Sequence, residues 1–161
     1  MRAILIDPFL QSIRVVEIDG SYESLKTYVF DGKGDGEFLE HVGVGASHGL
    51  YIDEEGILKD WDSQKFFRIG NPSGDPGYTL AGRDLMVSDT EEGDVGPCMI
   101  PLHTVVDTVT WVDAKDVRVP AIKLTTIDEA GSEKVEYTDC GVNEWHYGRQ
   151  PYKGTKEANT E

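Results

Sequence analysis

Residues 49–88 leave the chain little choice of architecture. The stretch reads GLYIDEEGILKDWDSQKFFRIGNPSGDPGYTLAGRDLMVS, and each short apolar run in it meets a turn-forming cluster within a few residues. Short runs separated by Gly, Pro and Asp clusters belong to strands joined by turns. Leu50-Tyr51-Ile52 is β-prone, Asp53-Glu54-Glu55-Gly56 follows, and Ile57-Leu58 resumes the apolar pattern. An acidic cluster closed by glycine predicts a hairpin, with the glycine supplying positive φ. Three adjacent carboxylates also invite a cation. A calcium loop, however, spaces its ligands at alternating positions and ends on a bidentate Glu, which this cluster does not. The cluster reads first as a solvated turn.

Trp61, Phe66, Phe67 and Ile69 carry the next apolar weight. Phe66 and Phe67 cannot share one face of a strand, so one of them is exposed or is covered by a second layer. Residues 71–77, NPSGDPG, form a loop with two prolines and two glycines. The loop suits a surface connection. Its backbone N–H groups also suit ligand contact, with Asn71 and Ser73 as the candidate side chains. Gly82-Arg83-Asp84 then turns into Leu85-Met86-Val87, a buried strand.

The remaining chain follows the same grammar. Ala3–Ile6 is a compact apolar run ended by Asp7-Pro8, which places a turn over Pro8–Gln11 because proline interrupts pairing. Ile13, Val15 and Ile18 complete an N-terminal hairpin. Ser21 is a predicted N-cap, and Tyr22, Leu25 and Val29 recur at helical spacing, so Ser21–Val29 is a short amphipathic helix. Asp31–Gly36 is a polar link that lacks the Gly-Lys-Ser/Thr ending of a phosphate loop. Phe38, Val42 and Val44 mark another strand. Met99–Val112 is β-prone throughout, with Pro101 placing its start at a sheet edge. Val117–Thr126 and Lys134–Thr138 flank the turn residues Asp128–Ser132 as a second hairpin.

The expected fold is α+β: a mainly antiparallel β-sheet with one short N-terminal helix and a β-rich C-terminal extension. With 161 residues to place, the expected organisation is a small α+β domain over 1–88, a β-rich extension packed on it over 89–148, and a polar, disordered tail over 149–161.

Charge removes one class of function. Lys plus Arg is 15 against 30 for Asp plus Glu, a net −15. A free-standing DNA or RNA binder draws its affinity from a basic stripe, and this chain has none. An acidic chain can instead occupy a basic partner surface. The excess is spread evenly, with 8 basic and 16 acidic residues over 1–90 and 7 and 14 over 91–161, as solubility alone would require. Two cysteines make no disulfide framework. Met1-Arg2 runs directly into a strand-like segment and no apolar run approaches the roughly 20 residues of a membrane helix, so a soluble cytoplasmic protein is expected.

Three constellations bear on chemistry. Cys98 with His103 and Cys140 with His146 pair Cys and His in a way that would serve zinc if two strands brought all four together. The alternative is that both cysteines are small buried residues. His41 and His48, with His103-Thr104, offer an acid/base pair for phosphodiester hydrolysis. Trp145, Tyr147 and Arg149 suit stacking on a nucleotide ring, and equally suit closure of one end of the core.

Two pieces, MRAILIDPFLQSIRVVEIDGSYESLKTYV and GLYIDEEGILKDWDSQKFF, closing with TLAGRDLMVS, resemble the family catalogued as domain of unknown function 3846, found largely in phages and bacterial mobile elements. The resemblance covers residues 1–88. The loop at 71–77 and the Phe66-Phe67 pair depart from the family's plainer pattern, and residues 89–161 have no counterpart in it. The family carries no catalytic set, so the resemblance implies an origin rather than an active site: a phage-type accessory protein in a bacterial host's cytoplasm.

The functional expectation is therefore a non-enzymatic accessory protein, without a cofactor. It acts by binding a host protein, as an anti-defence inhibitor would, or by self-association. Two alternatives stand beside it: sequestration of a nucleotide signal through Asn71, Ser73, Trp145, Tyr147 and Arg149, and a His- or metal-dependent hydrolase.

Overall fold

The computed structural model describes residues 1–33, 37–45, 47–70, 78–117 and 122–138. Strands β1 (Arg2–Asp7) and β2 (Ser12–Glu17) form the predicted hairpin, in register from Arg2 opposite Glu17 to Asp7 opposite Ser12. Asp7 makes the turn: its carboxylate accepts hydrogen bonds from the N–H groups of Phe9 at 3.0 Å and Leu10 at 3.2 Å. Helix α1 (Tyr22–Val29) also follows the prediction. Ser21 Oγ accepts from the Ser24 N–H at 3.1 Å, and Leu25 and Val29, four residues apart, point into the core.

Strands β3 (Leu39–Gly43), β4 (His48–Asp53) and β7 (Asp84–Asp89) complete an antiparallel sheet in the order β2-β1-β7-β4-β3. A short strand β8 (Val95–Gly96) pairs with the far end of β7. Strand β7 lies at the centre, and Leu85, Met86 and Val87 are all buried. Side chains alternate across it, so Leu85 and Val87 pack with Ala3, Leu5, Leu25 and Val29 under α1, while Met86 packs with Ile4, Ile6 and Leu50 on the opposite face.

A second sheet covers that opposite face. Strand β5 (Phe66–Ile69) lies between β6 (Tyr78–Ala81) and β9 (Val109–Val112), antiparallel to both. Phe67 enters the core between the two sheets, and Phe66 faces the other way against Trp61, Ala81 and Val117. Both are at most 2% exposed. The adjacent phenylalanines are thus reconciled by a further layer, and each contributes about 2–3 kcal/mol of burial. Beyond them, β10 (Ile122–Ile127) and β11 (Glu133–Thr138) form the second predicted hairpin. Asp128 closes its turn by accepting from the N–H groups of Ala130 at 2.9 Å and Ser132 at 2.8 Å.

The fold is α+β and mainly antiparallel, as expected, with two local departures. Leu102–Thr108, read as part of one long strand, is a second helix, α2. Pro101 precedes it in extended conformation and suits a helix start. Val105 is its buried residue, and the partly buried Leu102 and Val109 pack against the same inter-sheet core. Those residues lie three and four apart, so one helical stripe accounts for them as well as a strand does. The chain turns β only at Val109.

The second departure is at the acidic cluster, where no hairpin forms. Strand β4 ends at Asp53, and Gly56–Leu58 is a single 3-10 turn rather than a returning strand. Asp53 redirects the chain by accepting the Glu55 N–H at 3.0 Å. Gly56 is not there for positive φ. It is buried against the backbone of β6, where a Cβ would lie 2.6 Å from the Ala81 carbonyl oxygen. The expected disorder of 149–161 falls outside the described residues. Among the described residues, no helix is long and apolar enough to cross a membrane.

Candidate functional site

Most of the residues singled out from the sequence lie outside the described residues: Asn71, Ser73, Cys140, Trp145, His146, Tyr147 and Arg149. Of the zinc set, Cys98 and His103 are described, and they are placed differently from one another. Cys98 is a free, fully buried thiol in the inter-sheet core, and its backbone is held to Arg2 by an N–H bond of 2.8 Å to the Arg2 carbonyl and by the Arg2 guanidinium on its own carbonyl. His103 is exposed in the first turn of α2. Among the described residues, no three His, Cys, Asp or Glu side chains converge as metal ligands would.

His41 and His48 do not form a pair. His41 lies opposite Tyr51, and His48 opposite Ser88, so alternation sends them to opposite faces of the sheet. His41 Nε2 instead meets Asp89 Oδ1 at 2.9 Å, over Gly49. His48 Nε2 accepts the Met99 N–H at 3.3 Å. The acid/base pair expected for hydrolysis is therefore not assembled by these two residues.

The arrangement that sequence reading missed lies beside α1, on the face that carries Tyr51. Three segments meet there. The β1 side brings Met1. The link from β2 to α1 brings Asp19, Gly20 and Tyr22, with Gly20 at φ +84° making the bend. The turn between β7 and β8 brings Gly93 and Asp94. Thr90 builds that turn: its carbonyl accepts the Gly93 N–H at 3.0 Å, and its hydroxyl accepts the Asp94 N–H at 3.0 Å. Together with Leu25 and Tyr51 they line an open cavity of about 390 Å³.

The charged side chains in its lining, Asp19 and Asp94, are both acidic, while the Met1 ammonium is engaged by the Ile18 carbonyl and Glu17, and Lys26 lies over the Tyr22 ring at 5.9 Å. Hydrogen bonds from Ser21 hold the Asp19 carboxyl below the usual range, so Asp19 is an anion at neutral pH. Burial, and then the charges of Asp89 and Asp94, push the Tyr51 phenol up, so it remains a donor. Asp19, Glu91, Glu92 and Asp94 form no ion pair among the described residues. A second cavity of about 580 Å³ lies at the other end of the sheet, between the β1–β2 turn and Trp61, Lys65 and Trp111. It is larger, but its charges are mixed, with Asp62 and Asp113 beside Lys65. The smaller cavity, with Asp19 and Asp94 as its charged side chains and the Tyr22 and Tyr51 phenols beside them, suits a cationic group better than an anionic one.

Comparison of the chain with protein-family models, with curated proteins and with solved structures yields no match.

The signal for this site was present but scattered. Alternation from Leu50 would have put Tyr51 on the α1 face, and Asp89–Asp94 was legible as an acidic turn. That the turn returns to Asp19 and Tyr22 depends on β7 pairing with both β1 and β4, which no local pattern encodes.

Proposed function

We propose that this chain acts by binding rather than by catalysis, as a phage-type accessory protein in a bacterial cytoplasm that engages a basic surface of a host protein. The observation that carries the reading is the cavity lined by Asp19, Asp94, Tyr22 and Tyr51, with Glu91 and Glu92 in the same β7–β8 turn that supplies Asp94. Carboxylates and phenol rings recognise lysine and especially arginine, whose planar guanidinium stacks on an aromatic face while donating to carboxylate oxygens. The net charge of −15 supports the same choice, because complementary fields speed encounter and exclude acidic competitors. The resemblance of residues 1–88 to a phage-associated family supports the origin.

The test is affinity capture of tagged protein from infected and uninfected bacterial lysate, run beside an Asp19→Lys/Asp94→Lys variant. A stoichiometric host protein retained by the wild type and lost from the variant supports the reading. Release of a nucleotide without a protein partner overturns it in favour of nucleotide sequestration. Equal retention by the variant removes the cavity from the interface.

A further inference from the structure

Asp84 is the one carboxyl group in the described structure that is fully buried with neither oxygen hydrogen-bonded. It opens the central strand β7, opposite Ile6 of β1. Its surroundings are organised to leave it alone. Asp7 is satisfied by two backbone N–H groups and by Arg83 Nε at 3.0 Å. Asp53 is satisfied by the Glu55 N–H and by Lys59 Nζ at 2.6 Å, and Lys59 also reaches Glu37 at 3.5 Å. Arg83 and Lys59, the cations bound at these two acids, are thus engaged away from Asp84. Burial first, and the Asp53 charge second, hold the Asp84 carboxyl well above the usual carboxylate range.

The corner that leads into Asp84 is clamped from outside by the segment 54–65. Gly56 abuts the Ala81 carbonyl. Gln64, itself buried, donates from Nε2 to the Gly56 carbonyl at 2.7 Å, and the Gly82 N–H bonds to the Lys65 carbonyl at 2.9 Å. The same segment supplies Trp61, Gln64 and Lys65 to the wall of the 580 Å³ cavity. A neutral acid tolerates this closed corner. A carboxylate does not, because an unpaired buried anion must be hydrated or matched by a cation.

We propose that Asp84 is a proton-operated latch: with the carboxyl neutral the segment 54–65 stays closed on the β6–β7 corner, and with the carboxyl ionised the corner opens and the cavity walled by Trp61 and Lys65 is lost. The charged groups on the surrounding elements are Asp7 of β1, Arg83 beside it, Asp53 of β4, Lys59 beyond the 3-10 turn, and Asp60, Asp62 and Lys65 of the clamp. Among them Asp53 is the one whose charge opposes ionisation of Asp84 directly. The inference is independent of the acidic cavity, which lies at the opposite end of β7.

Hydrogen exchange of the intact chain across a pH series, corrected for the intrinsic rate, reads the latch. In the wild type the protection of amides 56–65 is expected to fall at least tenfold as pH rises and to stay below that of Ile4–Ile6 throughout, because the corner opens before the sheet does. In Asp84→Asn the protection of 56–65 is expected to be flat with pH. Should Asp84→Asn fail to fold, Asp53→Asn decides: with the opposing charge removed, the wild-type opening is expected at lower pH. A pH-dependent opening that persists in Asp84→Asn, or a midpoint unmoved by Asp53→Asn, overturns the proposal.

Discussion

Gly56 and the Ala81 carbonyl meet so closely that a Cβ on residue 56 would sit 2.6 Å from the oxygen, and 3.4 Å from the Asp53 side chain. The contact fixes where β4 gives way to the 3-10 turn, and so how the segment 54–65 lies on β6. Because the obstacle is backbone, it cannot rotate aside. Gly56→Ala is expected to destabilise the fold by about 1–3 kcal/mol, the range for overpacking a tight site. Urea unfolding at matched pH would show it, and an unchanged midpoint would mean that the turn is free to shift.

Asp84 gives a stability profile of unusual sign. Its folded pKa is raised above the unfolded value of 3.8, so the folded state holds the proton more tightly. Nothing is lost below the unfolded pKa, and stability declines as pH rises from there towards the folded pKa, with a limiting slope of about 1.4 kcal/mol per pH unit for one proton. Asp84→Asn removes that slope. The gap in urea midpoint between the variant and the wild type is therefore expected to move in the variant's favour as pH rises from 3.8. A constant gap would place the carboxyl in contact with water.

The layered core predicts that adjacent residues matter equally. Phe66 and Phe67 point in opposite directions yet are both buried, one against Trp61 and Val117, the other between the sheets. Each Phe→Ala change is expected to cost about 3–5 kcal/mol. Phe9, which is 39% exposed on the β1–β2 turn, is expected to cost far less on the same substitution. Thermal unfolding of the three variants checks the ranking. A mild Phe66→Ala would show that the outer layer around Trp61 contributes little.

What could be read without coordinates was whatever local chemistry decides. Ser21 capping α1, Asp7-Pro8 turning the first hairpin and Asp128–Ser132 turning the last are each settled within a few residues. Leu102–Thr108 was misread because Leu102, Val105 and Val109 fit both periods, and β-propensity is a weak arbiter in a seven-residue segment. Gly56 was assigned a turn role because glycine's two uses, positive φ and close approach, look alike in sequence. Neither the Asp19–Asp94 cavity nor the isolation of Asp84 was legible, since both depend on β7 pairing with β1 and β4 across nearly 80 and 40 residues of chain.

His41, Asp89 and Gly49 separate charge from shape at one place. The His41–Asp89 pair measures 2.9 Å, but its side chains are 37% and 38% exposed, so solvent screens it. Exposed pairs contribute about 0.2–1 kcal/mol. The ring itself lies across Gly49 and against Tyr51, with centroids 5.2 Å apart, and it occupies the space that a Cβ on residue 49 would need. Asp89→Asn is therefore expected to change stability by less than about 1 kcal/mol. Gly49→Ala is expected to cost more, because it drives the imidazole off the sheet and breaks both contacts together. The double variant His41→Ala/Gly49→Ala removes the obstructing ring, so it should recover much of the loss seen in Gly49→Ala alone. A double-mutant cycle by urea unfolding measures that coupling. Strict additivity would show that Gly49 is required by the backbone of β4 rather than by the ring above it.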